Sequence, residues 1–331
     1  MRYESSVTSI SWIPSEAMSG PMRVPMDLGI GHYDEPPPDH VVVDELEALR
    51  AADRFRFANR LAAWVEVDDD RIVEAGYAGG GLVGSTTMRL GVGSLTVPGM
   101  AFPVIQETPV IEGGAARFRQ TAGGRTGAPL PRRIDRPPYL RITAPTAWTT
   151  LGLTISADGT SSHEVVGASP FPRHWVYDDA GNLVAKSGVI DFHEWTRVHD
   201  HDRSPWHDFE REALVAEVES EIERRLSAEL MAGSPAFRKI PAGDALVRQG
   251  DSGDELFLIL DGMLDVSVDG ENVAEIGPGA IVGERSGLEG GARTATLTAK
   301  TPVRVAVFPA AAVDAAVRAE VAERHRRETA D

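Results

Sequence analysis

Short apolar runs separated by turn-forming clusters dominate the chain to about residue 205. Residues 64–67 and 71–73 flank three aspartates, residues 148–155 and 163–166 flank the pair Asp158-Gly159, and residues 174–177 and 183–186 flank the cluster 178–182. β-prone runs joined by Asp, Asn and Gly, which tolerate the backbone of tight reversals, predict three antiparallel hairpins. A different period follows Pro36, Pro37 and Pro38, where Val42, Leu46 and Leu49 fall at i, i+4 and i+7 and so share one face of a helix. Residues 1–205 therefore read as an α+β region with mainly antiparallel sheet.

Helical spacing returns between residues 208 and 231, where Leu214, Val215, Val218, Ile222, Leu226 and Leu230 form one apolar stripe among charged residues. Gly233, Ser234 and Pro235 stop it. The spacing predicts a helix in a connecting segment, 206–234, either packed on one neighbour or coupling the two. After Pro235 short strands are expected at 245–248, 255–260, 263–268, 272–276, 295–299 and 303–307, with glycines at 243, 250, 253, 262, 270, 277 and 279 near the reversals. Strands this short, with a residue that turns cheaply at each corner, predict a jelly roll or related β-barrel over 235–331, closed by a helix at 311–327.

Composition narrows the chemistry. The 331 residues contain no Cys, which excludes disulfides, thiolate nucleophiles and thiolate metal sites. The net charge of -17 disfavours binding to phosphate backbones or anionic membranes over the molecule as a whole. No apolar run approaches the roughly 20 residues that cross a bilayer, and the start, MRYESSVTSISW, lacks the basic and apolar regions of a secretory signal. A cytoplasmic protein is the expectation.

One segment interrupts the C-terminal strand pattern: VGERSGLEGGARTATLTA, residues 282–299. A cyclic nucleotide offers one phosphate charge, a ribose 2′-hydroxyl and a base, and this segment has a group for each of the first two. Glu284 can accept from the hydroxyl. Arg293 can fork onto phosphate oxygens, and a short helix starting near Arg285 would direct backbone N–H groups at the same charge. Gly283, Gly290 and Gly291 would let the backbone approach the ligand closely.

At these residues the segment resembles the phosphate-binding cassette of the cyclic-nucleotide-binding domain family, the jelly-roll sensor of bacterial catabolite regulators and cyclic-nucleotide-dependent kinases. Gly283 and Glu284 match its Gly-Glu pair, Ser286 its small helical residue, and Arg293, Thr294, Ala295 and Thr296 its closing run. The upstream stretch PAGDALVRQGDSGDELFLILDGMLDV resembles the family's early strands. Arg285 and Gly287 depart from the usual apolar residues, and Ala292 from the frequent Pro. The resemblance implies a cAMP site, with cGMP the alternative because the Thr294 hydroxyl can reach the guanine amino group. It implies no metal. The catabolite regulators continue into a DNA-binding helix-turn-helix, whereas fewer than 25 residues follow this barrel, so DNA binding is not expected.

Other signals are weaker. Gly79, Gly81 and Gly84 satisfy G-x-G-x-x-G, but no helical period follows, so a glycine-rich turn or bulge is expected. Arg117, Arg119, Arg125, Arg132, Arg133, Arg136 and Arg141 cluster in an acidic chain, either as a solvated loop or as a site for an anionic ligand or partner. Six of the nine histidines lie between His163 and His207, with His199 and His201 spaced for one face of a strand; a polar surface loop is preferred to a metal site. Arg173, His174 and Trp175 either pack in the core or line a pocket. No catalytic motif appears. The sequence thus predicts a cyclic-nucleotide sensor joined to an N-terminal domain that is either an enzyme under its control or an interaction module for a protein partner or homo-oligomer.

Overall fold

The computed structural model describes the chain apart from residues 15–27, 29–32, 91–92, 128–129, 134–136, 138, 145, 171, 188–203, 208–212, 218–225, 228–229, 232–234, 285–290, 315–316, 320 and 323–331. The chain divides into two compact units, Met1–Ala213 and Leu214–Asp331. Strands predominate and helices are few, in keeping with the α+β expectation. Among the described residues no helix is long and apolar enough to cross a membrane.

In the first unit, β1 (Arg2–Trp12) precedes helix α1 (Val43–Ala51), followed by β2 (Phe57–Asp68), β3 (Arg71–Tyr77), β4 (Gly80–Val83), β5 (Ser85–Leu90) and β6 (Gly93–Pro98). The short strands β7 (Met100–Ala101), β8 (Ile105–Gln106) and β9 (Val110–Glu112) lead to β10 (Ala115–Arg125), then β11 (Leu130–Arg133), β12 (Leu140–Thr143), β13 (Thr146–Ser156), β14 (Ser161–Ala168), β15 (Arg173–Tyr177) and β16 (Leu183–Ser187). One sheet contains the path β16-β15-β1-β2-β3, with β4 also on β2; a second runs β14-β13-β10-β7, with β8 and β9 on β10. Each of the three predicted hairpins forms, as β2–β3, β13–β14 and β15–β16. Asp69 and Asp70 make the first reversal with φ of 45° and 58°, the left-handed pair that a two-residue hairpin loop needs.

The two sheets enclose Val7, Leu61, Val65, Phe118, Leu151 and Ile155. Further along the same strands the interior turns polar. Ser9, Ser11, Asn59, Gln120, Thr149 and His174 are all buried there. They satisfy one another: Ser9 Oγ lies 2.6 Å from Thr149 Oγ1, Asn59 Nδ2 donates to the Thr149 carbonyl at 2.9 Å, and Gln120 Nε2 donates to Asn59 Oδ1 at 2.8 Å. The opposite face of β1, with Ile10 and Trp12, joins Trp175, Tyr177 and Leu46 of α1 in a second core.

The second unit opens with β17 (Val215–Glu217), extended where the expected helix over 208–231 begins; residues 208–212, 218–225 and 228–229 of that expectation lie outside the described residues. Helical backbone appears only at 226–227 and 230–231 among the described residues of that span. β-branched Val215 favours extended backbone. Ala216 also packs so closely on Gly277 that a Cβ added there would lie 2.3 Å from the Ala216 Cβ, so tertiary contact outweighs the helical period.

Beyond it come β18 (Ala236–Ile240), β19 (Ala245–Val247), β20 (Glu255–Asp261), β21 (Leu264–Val268), β22 (Glu271–Ile276), β23 (Ile281–Val282), β24 (Thr296–Ala299) and β25 (Val303–Pro309). They form two four-stranded antiparallel sheets, β18-β25-β20-β23 and β19-β24-β21-β22, the jelly roll that the strand spacing predicts. β20 is apolar on both faces because both are covered. Phe257 and Ile259 meet Leu264, Leu297 and Val305 in one core, while Leu256, Leu258 and Leu260 meet Leu226, Leu230 and Phe308 in another. The closing helix predicted at 311–327 is described as a 3-10 turn at Ala310–Ala312 and helical backbone at 317–319 and 321–322; the rest of that prediction lies outside the described residues.

Candidate functional site

The site forms where the loop after β19 meets the segment leading into β24. Gly250, with φ of 87°, turns the chain, and its N–H donates to the Arg293 carbonyl at 2.8 Å. The Arg293 N–H returns to the Asp251 carbonyl at 2.7 Å, and the Gly253 N–H reaches the Gly291 carbonyl at 3.0 Å. With the bridge between Ser252 and Ala292, these bonds zip the two segments together and fix where the Arg293 side chain departs.

That side chain runs inward. Arg293 is only 6% exposed and Glu284 only 5%. Arg293 Nη1 donates to the Glu255 carbonyl at 3.0 Å and to the Gly283 carbonyl at 3.5 Å, and the guanidinium carbon sits 5.3 Å from the centre of the Phe257 ring. Two glycines wall the guanidinium. A Cβ at Gly253 would lie 2.6 Å from Arg293 Nη2, and one at Gly283, where φ is 94°, would lie 2.6 Å from Nη1. Gly283 is thus required twice, for its backbone and for the approach of the arginine.

Burial lowers the Arg293 pKa from its ordinary value, and the carboxylates of Glu255, Asp254 and Glu284 oppose that shift. Arg238 adds a like charge in the same neighbourhood. Its Nη2 bridges the Glu255 carboxylate at 3.2 and 3.3 Å, and its guanidinium lies 5.4 Å from the Phe257 ring centre. The structure therefore gathers Gly283, Glu284 and Arg293 around the end of β20. Thr294 and Ala295 follow as a half-buried bend, so the strand expected from 295 begins at Thr296, whose hydroxyl accepts from the Gln249 N–H at 2.9 Å. Arg285 and Ser286 lie outside the described residues, as do Gly287 and Gly290.

Sequence reasoning missed three contributors. Glu255 and Phe257 appear in the sequence only as strand residues, because a backbone carbonyl and a ring face leave no signature there. Gly253 reads as a corner glycine, yet its φ lies outside the left-handed region and its service is to make room for Arg293.

Residues 237–320 match the family model of the cyclic nucleotide-binding domain. The C-terminal unit carries a cyclic nucleotide-binding domain. A cyclic nucleotide-gated potassium channel of Mesorhizobium japonicum is 42% identical over 66 residues, 20% of this chain and 18% of the channel, and one of Rhizobium etli is 36% identical over 66 residues, with the same shares. The chain thus spans under a fifth of the length of these relatives. A solved cyclic nucleotide-binding domain from Methylobacillus flagellatus is 25% identical, with a TM-score of 0.29, covering 33% of this chain and 76% of that one. The family match lies within the C-terminal unit, and the N-terminal unit is unrecognised by family.

The N-terminal candidates resolve differently. Arg117 and Arg119 lie on β10 rather than in a loop, and pair with Glu112 at 2.9 Å and Glu107 at 3.3 Å. Arg125 ends the same strand, Arg132, Arg133 and Arg141 belong to the β11–β12 hairpin, and Arg136 lies outside the described residues. Gly79 and Gly84 flank strand β4; a Cβ on either would lie 2.1 Å from a backbone oxygen, of Arg60 and Phe55 respectively, so these glycines serve close backbone approach. Arg173, His174 and Trp175 are buried. His174 Nε2 is 3.0 Å from the Ser169 carbonyl oxygen, which can only accept, so Nε2 carries the proton and Nδ1 accepts from Ser11 Oγ at 2.7 Å. Burial lowers its pKa from 6.5 to about 4. His163 sits on β14, and His193, His199 and His201 lie outside the described residues. Among the described residues, no cluster of three or more His, Asp or Glu is placed to hold a metal.

Proposed function

We propose that this protein is a sensor whose C-terminal unit binds a cyclic nucleotide, cAMP in preference to cGMP, and thereby regulates the N-terminal unit. The observation that carries the reading is the joint burial of Glu284 and Arg293 beside Gly283, within the residues that match the family. Arg293 would hold the cyclic phosphate through two parallel N–H bonds, Glu284 would accept from the ribose 2′-hydroxyl, and the cleared backbone at Gly283 would admit the sugar-phosphate. Arg285, Ser286, Thr294 and Ala295 would complete the contacts. Regulation requires that the nucleotide favour one of two arrangements of the protein, because a ligand with equal affinity for both shifts neither. The segment 206–234 is where such a difference would be transmitted, to a protein partner or a second copy, in the cytoplasm.

A thermal-shift titration of the whole chain tests the reading. A ligand that binds only the folded state adds RT ln(1 + [L]/Kd), about 2.7 kcal/mol at a hundredfold excess over Kd, so cAMP is expected to raise the melting temperature more than cGMP at equal concentration. No shift with either at millimolar concentration would contradict it.

A further inference from the structure

The glycine at position 253 has no backbone reason to be glycine. Its φ lies outside the left-handed region, and its N–H bond to the Gly291 carbonyl is one that any residue but proline can make. Its neighbourhood supplies a reason. The three atoms nearest to a Cβ built there all belong to one group: Arg293 Nη2 at 2.6 Å, Nε at 3.0 Å and Cζ at 3.1 Å.

We propose that Gly253 is a positioning residue of the phosphate site, which by lacking a side chain keeps open the slot that holds the Arg293 guanidinium against the Glu255 carbonyl and the Phe257 ring. The inference rests on the reading of Arg293 as the phosphate ligand. Non-bonded atoms settle roughly 3.5 Å apart or more, so a methyl group at 253 would push the head group away by about 1 Å. The backbone there is held by the zipped segments 250–253 and 291–293, so the flexible guanidinium yields first. Displacement of that size disturbs the 3.0 Å hydrogen bond from Nη1 to the Glu255 carbonyl. It also moves the two donors away from the place where a phosphate would meet them. Gly283 cannot serve as the probe, since a side chain there is strained by its φ of 94° and would press on the Glu255 carbonyl oxygen at 2.7 Å as well.

The test is Gly253→Ala in the full chain, read in two ways. The first is the Arg293 Nε–H resonance in the 15N spectrum without nucleotide, assigned by its loss in Arg293→Lys. The second is the affinity for a fluorescent cAMP analogue. We expect the resonance to move, the melting temperature to stay, and the affinity to fall about tenfold or more, as misplacement of a site group by about 1 Å implies. An unmoved resonance overturns the proposal whatever the affinity does, and so does a moved resonance with undiminished affinity. If the unsubstituted protein binds no cyclic nucleotide, it is the phosphate reading of Arg293 that falls, and the resonance alone still decides whether Gly253 sets the position of the guanidinium.

Discussion

Each unit of this protein buries an arginine, and the two stand in different settings. In the N-terminal unit Arg56 is 1% exposed and faces the buried carboxylate of Asp34, with Nε to Oδ2 at 3.0 Å and Nη2 to Oδ1 at 2.5 Å. Asp34 in turn accepts from the Ile13 N–H at 2.7 Å, and Arg56 Nη1 donates to the Ser85 carbonyl and the Thr86 hydroxyl at 3.0 and 2.9 Å. This is a clip that ties β1, β2 and β5 to the segment before α1. In the C-terminal unit Arg293 donates to the carbonyls of Glu255 and Gly283. The carboxylates of Glu255, Asp254 and Glu284 act on Arg293 as well, so a cation near carboxylates is common to both settings; what differs is that Arg293 stands among the residues that match the family. Burial of a cation is therefore no index of function by itself.

The largest effect that would break this contrast is on stability. Arg56→Ala leaves the Asp34 carboxylate buried without its cation and is expected to destabilise the N-terminal unit by about 3–5 kcal/mol, as broken buried pairs do. Urea unfolding measures it, and a loss below about 1 kcal/mol would show that the clip does not hold the unit together.

His174 gives a pH signature to the same unit. Its pKa falls from 6.5 to about 4 on folding, chiefly through burial. Between those values the unfolded chain binds the proton that the folded chain refuses, so stability is full above about pH 6.5 and declines as the pH drops toward 4. The accumulated loss is about 3 kcal/mol, at 1.36 kcal/mol per pKa unit. Unfolding free energy measured across this range should lose that slope in His174→Gln. An unchanged slope would place the proton uptake elsewhere.

How much of this was legible in the sequence differs between the same two regions. In the C-terminal unit local chemistry and fold agree: Asp269-Gly270 and Gly250 turn with positive φ where the sequence has its turn residues, and the continuous apolar run of β20 follows from two covered faces. Glu284 and Arg293 stand out because charged groups interrupt an otherwise apolar and glycine-rich register. In the N-terminal unit the interior is partly polar. β1 carries Ser9 and Ser11 inward, both 0% exposed, so its alternation of polar and apolar residues does not tell inside from outside, and the strand is invisible to a hydrophobic pattern. His174 reads from the sequence as a core residue or one lining a pocket, and its hydrogen bonds to Ser11 and to the Ser169 carbonyl show it as part of the core. At residues 215–217 the apolar stripe misleads in the other direction, since a period of 3.6 records which side chains are apolar and not that Ala216 packs on Gly277.

The smallest expected effect concerns base selectivity. Thr294→Ala removes a hydroxyl that would reach only the guanine amino group, so it should weaken cGMP by about 1 kcal/mol, the worth of one hydrogen bond, and leave cAMP unchanged. Competition of the two nucleotides against a fluorescent analogue reads the ratio. Equal losses would assign Thr294 to the phosphate or to the bend before β24.

The contrast between the two arginines comes down to whether Arg293 meets a phosphate. Arg293→Ala, verified as folded by circular dichroism and titrated with a fluorescent cAMP analogue beside the unsubstituted protein, tests this directly. Removing the cation from a buried charge pair costs about 2–5 kcal/mol, a loss of about 30-fold to several thousandfold in Kd, and Arg293→Lys should recover only part of it because an ammonium lacks the planar pair of donors. Unchanged affinity in a folded Arg293→Ala protein would contradict the account.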